Sequence, residues 1–292
     1  SSPAGAAGAI LPPTHLLSSF WSAALGFSGR VDFSVLRGAP GCSKPVELLA
    51  REQDLPPSTA QSLLHGSPLQ SGVPFLTIED QRYPDSLARV PYAPPVLFYR
   101  GSLERLADTC VAVVGSRQCT QRGRRLASAI ARTLSRSGCT TVSGLAYGID
   151  EAVHSASLPS TVGVLAQGLE ARMTLRQERL CSELLDAGGL LVSEFPPSRP
   201  ARKWSFLQRN RIIAALASAV VVVEAGSRSG ALNTARHAVE AGRDVYAVPW
   251  STFDEQGAGC LDLIGKGAML LRDPGELLDA IGVAGKEEGM LD

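Results

Sequence analysis

Four stretches concentrate the residue types that hold phosphate. Gly115, Ser116 and Arg117 follow an apolar run and precede Gln121, Arg122, Gly123, Arg124 and Arg125. Glycine lets backbone approach closely, a serine hydroxyl and free helix N–H groups donate to a phosphate oxygen, and an arginine fork grips it. Ser143 and Gly144, with Gly148 just beyond, form a second small-residue turn, and Ala225 to Gly230, including Ser229 and Gly230, forms a third before a helical stretch. The fourth, Pro196 to Arg211, carries Arg199, Arg202, Lys203, Arg209 and Arg211 without one acid, and Trp204 and Phe206 are interleaved. Positive charge beside rings tracks a sugar-phosphate backbone and stacks bases. The bland alternative is a turn glycine beside solvated arginines, with both rings tucked into the core. None of the loops has the G-x-G-x-x-G or G-K-[ST] spacing, so neither NAD nor ATP is indicated, and no cofactor or metal is expected. Asp150 and His154 are one helical turn apart; such a pair reads first as a local hydrogen bond at a helix start and second as an acid–base couple.

Positioning these loops on one edge requires a particular order of elements. After Asp108, short β-branched runs alternate with helical stretches, and strands are predicted at 111–114, 140–143, 162–166, 190–193, 220–224, 245–248 and 268–271. Continuous apolar strands separated by helices such as that containing Leu126, Ile130 and Leu134 mean a doubly wound, mostly parallel sheet covered on both faces. Ligands of such α/β sheets bind at the carboxyl ends of the strands, where all four stretches fall. The chain divides into a tail over residues 1–14, a small helical module over 15–65 and a connector with two extended runs over 66–108. The α/β domain follows over 109–283, with a second tail over 284–292.

The 292 residues are 45% hydrophobic and 19% charged, enough for a packed core and outside the composition of disordered chains. The 28 basic and 28 acidic side chains cancel, so a polyanion partner must be sought in local clusters; all but 4 of the cations are arginine, which favours bidentate contacts. Six scattered cysteines without a C-x-x-C pair read as reduced thiols of a cytoplasmic protein. The Ala-, Gly- and Pro-rich start lacks the pattern of a signal peptide, and no apolar run is long enough for a membrane span.

Taken together, VAVVGSR at 111–117, VSGLAYGID at 142–150, SEFPP at 193–197, QRNRIIAAL at 208–216, VVVEAGSRSGALNTA at 221–235 and VYAVPW with the later GCLDLIGKGA resemble the DNA-processing protein A family, also called DprA or Smf. PFLTIEDQRYPDSL at 74–87 resembles its lead-in. The resemblance implies an extended Rossmann-like domain after a small helical, SAM-like domain. It implies a non-catalytic protein that binds single-stranded DNA, forms a homodimer and helps load the RecA recombinase during natural transformation. Carried over by position, the phosphate-holding GSR falls on Gly115, Ser116 and Arg117, the K-x-x-F element on Lys203 and Phe206, and R-N-R on Arg209, Asn210 and Arg211. The sequence departs from the family pattern after the third strand of the α/β domain, where Arg172 or Arg176 stands in for an expected basic residue. The sequence stops soon after Ile281, so the winged-helix-like domain that many relatives carry is expected to be either missing or trimmed away.

Two further expectations complete the reading. Leu261 and Ile264 lie three apart on one helical face before an apolar run containing Met269 that would end the sheet. Such a face is commonly core, but an exposed edge is also a natural place for a second copy, and the resemblance puts dimerisation at this end. The competing function is a phosphoribohydrolase-like enzyme, since Rossmann-like folds with phosphate loops include both classes. Its P-G-G-x-G-T-x-x-E signature is unmatched by AGSRSGALNTA, with Glu224 before that loop and Glu240 well after it.

Overall fold

Runs rich in Val and Leu pair into one nine-stranded sheet in the computed structural model, which describes residues 72–283 together with Ala24, Asp32, Phe33, Leu36 and Gln53. The helical module and both tails expected from the sequence therefore lie outside the described residues, those five excepted. In chain order the strands are β1 (Phe75–Thr77), β2 (Val96–Gly101), β3 (Cys110–Val114), β4 (Thr140–Ser143), β5 (Thr161–Val164), β6 (Leu190–Ser193), β7 (Ala219–Val222), β8 (Asp244–Ala247) and β9 (Met269–Leu270). The helices are α1 (Asp85–Ala88), α2 (Gln121–Arg136), α3 (Ile149–Ser157), α4 (Leu175–Asp186), α5 (Lys203–Leu216), α6 (Ala231–Glu240), α7 (Ala258–Gly265) and α8 (Pro274–Ala280).

The spatial order is β1-β2-β6-β5-β4-β3-β7-β8-β9, with β3 to β9 parallel. The chain lays strands outward from β3 to β6, then α5 carries it back so that β7 pairs with the other side of β3. That reversal opens a crevice at the carboxyl ends of β3 and β7, where a Rossmann-like fold binds its ligands. β3 to β7 are buried at every residue, as a sheet covered on both faces requires.

The extended runs expected to dock as a connector do more than that. β2 pairs antiparallel with β6, Phe98 opposite Ser193, and β1 pairs antiparallel with β2. Val96, Leu97 and Phe98 are all buried, so these strands close the apolar edge that β6 would otherwise expose. The opposite end of the sheet is β9, whose two residues are exposed.

Candidate nucleic-acid interface

The crevice at the β3–β7 reversal is a cleft of about 540 Å³. One wall is the loop after β3. Gly115 is required there because a Cβ would lie 2.5 Å from Ile149 Cγ1 and 2.9 Å from the Glu224 carbonyl oxygen. Ser116 N–H donates to that carbonyl at 2.7 Å, and the Ile149 N–H donates to the Ser116 carbonyl at 3.2 Å. The loop is thus stapled to the end of β7 and the start of α3. The Ser116 hydroxyl oxygen accepts from the Gln118 N–H at 3.1 Å, leaving its proton for a ligand.

The facing wall is α5. Its start is fixed by Ser205, whose hydroxyl accepts from the Arg202 N–H at 2.9 Å. Lys203, Phe206, Arg209 and Asn210 line the cleft from this helix. The Arg117 guanidinium sits 4.7 Å over the Phe206 ring, a cation–π contact that holds both across the opening. Ser229 and Gly230 line the third side, where Asn210 donates to the Gly230 carbonyl at 3.2 Å and the start of α6 opens onto the cleft. A smaller hollow of about 160 Å³ shares Arg117 and Phe206 and continues to Gly144 and Tyr147 after β4, Gln167 after β5 and Gln177 in the first turn of α4.

Several residues singled out from sequence have other work. Ser143 is buried and donates to the Val113 carbonyl at 2.7 Å, joining strands instead of facing a ligand. Gly144 makes room for Arg209, whose guanidinium a Cβ would meet at 2.5 Å. Arg209 is only 4% exposed and donates to the carbonyls of Gly144 (2.7 Å) and Val164. Burial pulls its pKa down to about 10, so it stays charged at neutral pH, and Asp150 opposes the shift. Arg211 forks onto Glu194 at 2.6 and 2.8 Å, the acid lying just upstream of the basic stretch. Arg176 does the same to Glu151 at 2.6 Å and covers the Tyr147 ring. Burial acts to raise the Glu151 pKa, but Arg176 and Arg124 outweigh it and the net shift is downward. Arg172 is exposed and outside both hollows.

Two helix starts behave differently from expectation. The N-terminus of α2 is closed by Thr120, which accepts from the Gly123 N–H at 2.9 Å. The fully buried Glu224 accepts from the Thr120 N–H at 2.8 Å and its hydroxyl at 2.6 Å. A carboxylate already fills the place where a phosphate was expected on that helix. Asp150 accepts from the N–H groups of Gly144 (3.1 Å) and Ala146 (3.4 Å), whereas His154 meets the Thr161 hydroxyl at 2.8 Å, so the two bond separately. Burial raises the Asp150 pKa and lowers that of His154 to about 3. Leu207, Gln118 and Thr234 also line the cleft. Thr234 falls within the family-like stretch over 221–235 but does not stand out in it, no motif covers Leu207 or Gln118, and helical spacing from Lys203 would have found only Leu207.

At the other end of the sheet, a hollow of about 680 Å³ runs along α6, α7 and β9. Leu263 and Met269 line it. Ile264 instead packs against the core outside the hollow, and Leu261 also lies outside it, because α7 turns the two residues between them, Asp262 and Leu263, toward the edge.

Residues 74–282 match the DNA recombination-mediator protein A family. The chain belongs to that family. It is 36% identical over 261 residues to the DNA processing protein DprA of Streptococcus pneumoniae, covering 87% of this chain and 90% of that protein. It is 40% identical over 220 residues to Protein Smf of Synechocystis sp. and 41% over 208 residues to Protein Smf of Escherichia coli. Those alignments cover 73% and 70% of this chain but only 55% and 56% of the two proteins, so the chain spans about half their length. The X-ray structure of the S. pneumoniae DprA superposes with a TM-score of 0.71 at 32% identity, covering 90% of this chain and 98% of that one. The Helicobacter pylori DprA, described for its single-stranded DNA binding mode, gives 0.66 at 25% identity, covering 72% and 96%. In this member of the family, the matched region contains every element that builds the cleft.

Proposed function

We propose that the chain binds single-stranded DNA in the β3–β7 cleft, through phosphate contacts from Ser116, Arg117, Lys203 and Ser229 and base stacking on Phe206. The observation that carries this reading is one of charge pairing. Arg176 and Arg211 are neutralised by carboxylates, whereas Arg117 and Lys203, which face each other across the cleft, form no ion pair among the described residues. Unpaired cations beside a ring, over small-residue loops, suit a polyanion whose bases are exposed. Membership of a recombination-mediator family supports the further reading that the bound strand is handed to RecA. The apolar hollow at the β9 edge supports a homodimer that presents two clefts together.

Binding without turnover fits the carboxylates better than hydrolysis does. Glu224 is committed to Thr120 behind α2, and Glu240 pairs with His237 at 2.9 Å on the outer side of α6; neither lines the cleft, and Asp150, which does, is engaged by the Gly144 and Ala146 N–H groups and the charge of Arg209. Fluorescence anisotropy with single-stranded DNA, duplex and a nucleoside monophosphate tests the reading. Tight, salt-sensitive binding to the single strand is expected, with no release of free base. Preference for the monophosphate, with base released, overturns it in favour of the hydrolase.

A further inference from the structure

The basic stretch that supplies Lys203 and Phe206 to the cleft also builds a platform outside it. Trp204 does not line either hollow near the cleft, and its indole is 46% exposed. Residues two apart on a helix point about 200° apart, so Trp204 and Phe206 occupy opposite sides of the start of α5. The indole packs edge-to-face on the buried Phe195 ring at 6.1 Å. The Arg199 guanidinium lies 4.8 Å from the indole and 4.6 Å from Phe195.

The support beneath is rigid. The Gly168 N–H donates to the Arg199 carbonyl and the Glu170 N–H to the Pro197 carbonyl, at 2.9 and 2.8 Å. A Cβ on Gly168 would lie 1.9 Å from the Pro196 carbonyl oxygen, so the loop after β5 is seated directly on the loop carrying Arg199. Arg172 lies further along that same loop after β5, its carbonyl accepting from the Gln167 side-chain amide at 3.4 Å. Arg172 and Arg202 are exposed and without ion pairs among the described residues. An exposed ring on a fixed base, in contact with the Arg199 cation and continuous with the cleft through one helix, has the chemistry of a nucleotide-stacking surface.

We propose that the exposed face of Trp204, backed by Arg199, is a second stacking station over which a single strand leaves the cleft toward β6. This rests on the cleft being the DNA site. A strand of a few nucleotides then engages the cleft alone, and a longer one reaches both.

Oligo(dT) of 4 to 16 nucleotides, titrated against wild type, Trp204→Ala, Trp204→Phe and Arg117→Ala, separates the two sites. Trp204→Ala is expected to bind the shortest strands like wild type and the longer ones about fivefold to a hundredfold more weakly, with Trp204→Phe close to wild type. Arg117→Ala weakens every length. In wild type, long strands should quench the intrinsic tryptophan fluorescence more than short ones, a readout that needs no variant to fold. Equal affinity of Trp204→Ala and wild type at all lengths, an equal loss at all lengths, or quenching independent of length overturns the station. If wild type binds no single strand, or Arg117→Ala changes nothing, the cleft reading fails and the station falls with it.

Discussion

The cleft between β3 and β7 and the hollow along β8 and β9 are of similar size, about 540 and 680 Å³, but differ in what their linings leave unsatisfied. Around the cleft, the unsatisfied groups are cations: Arg117 and Lys203 face each other beside one ring. The edge hollow has Arg236, Arg243 and Lys266 on its rim, but Glu240, Asp244 and Asp262 are there too. What it leaves exposed is apolar surface, with Val239 68% and Met269 40% accessible. A rim of both signs around an apolar floor complements another protein surface, and a copy of itself can satisfy both signs at once. Two unpaired cations in a cleft whose one lining carboxylate, Asp150, is already matched by Arg209 favour a polyanion. The same sheet thus carries two surfaces that differ in how their charges are paired, although the total charge of the chain is zero.

The sharpest way to break the comparison is to remove a cation from the cleft that is not there for the ligand. Arg209→Met should destabilise the fold by about 3–5 kcal/mol, because it strips Asp150 of its buried counter-charge and leaves two carbonyls without a donor. Urea denaturation measures this. A stable variant with weakened DNA binding would instead make Arg209 a ligand group and the cleft more basic than the pairing argument allows.

Arg209 also shows why the site was only partly legible in the sequence. The parallel sheet and the four loops could be read because β-branched runs and small-residue turns declare themselves locally. Strands 140–143 and 190–193 fall where they were expected. Charge pairing is not local. Arg211 meets Glu194 from 17 positions away and Arg176 meets Glu151 from 25, so a stretch without an acid looked more basic than it is. Similarly, Glu224 reaches the start of α2 across 104 positions. The place of the two extended runs in the sheet was hidden for the same reason, since the partner of β2, β6, lies about a hundred residues on.

Within the cleft, the ring and the cations should separate by salt. Phe206→Ala is expected to weaken single-strand binding by about 1–3 kcal/mol with little change in salt dependence. Lys203→Ala should flatten the plot of log K against log salt by about 0.7. Anisotropy titrations at several salt concentrations give both quantities. Equal slopes for wild type and Lys203→Ala would remove Lys203 from the phosphate path.

Acid should affect the fold behind the cleft and spare the edge hollow. His154 is held neutral, with its pKa at about 3 against an ordinary 6.5, so below pH 6.5 the unfolded chain takes up a proton that the folded chain refuses. Stability is therefore retained above that pH and falls as the pH drops, by about 1 kcal/mol between pH 7 and 5.5. Asp150, raised by burial, acts with the opposite sign at lower pH. Urea curves of His154→Gln should lack the His154 contribution, and a wild-type stability flat across this window would show that the imidazole is not desolvated.

The smallest expected effect on DNA contact comes from the edge, and for that reason it isolates the dimer. Ile264 is a poor place to test self-association, because its packing against the core means that a carboxylate there would unfold the chain as readily as it would dissociate a dimer. Met269 is exposed and lines the hollow, so Met269→Glu adds charge without opening the core. If a second copy covers this edge, the variant should sediment as a folded monomer, since the carboxylate would be buried without a partner only in the dimer. Affinity for a strand too short to span two clefts should be unchanged. Affinity for a long strand should fall, because linked sites gain from effective concentration and separated ones do not. A variant that remains dimeric places the interface elsewhere. Loss of binding to short and long strands alike would mean that the edge and the cleft are not independent surfaces, and the contrast between them would have to be given up.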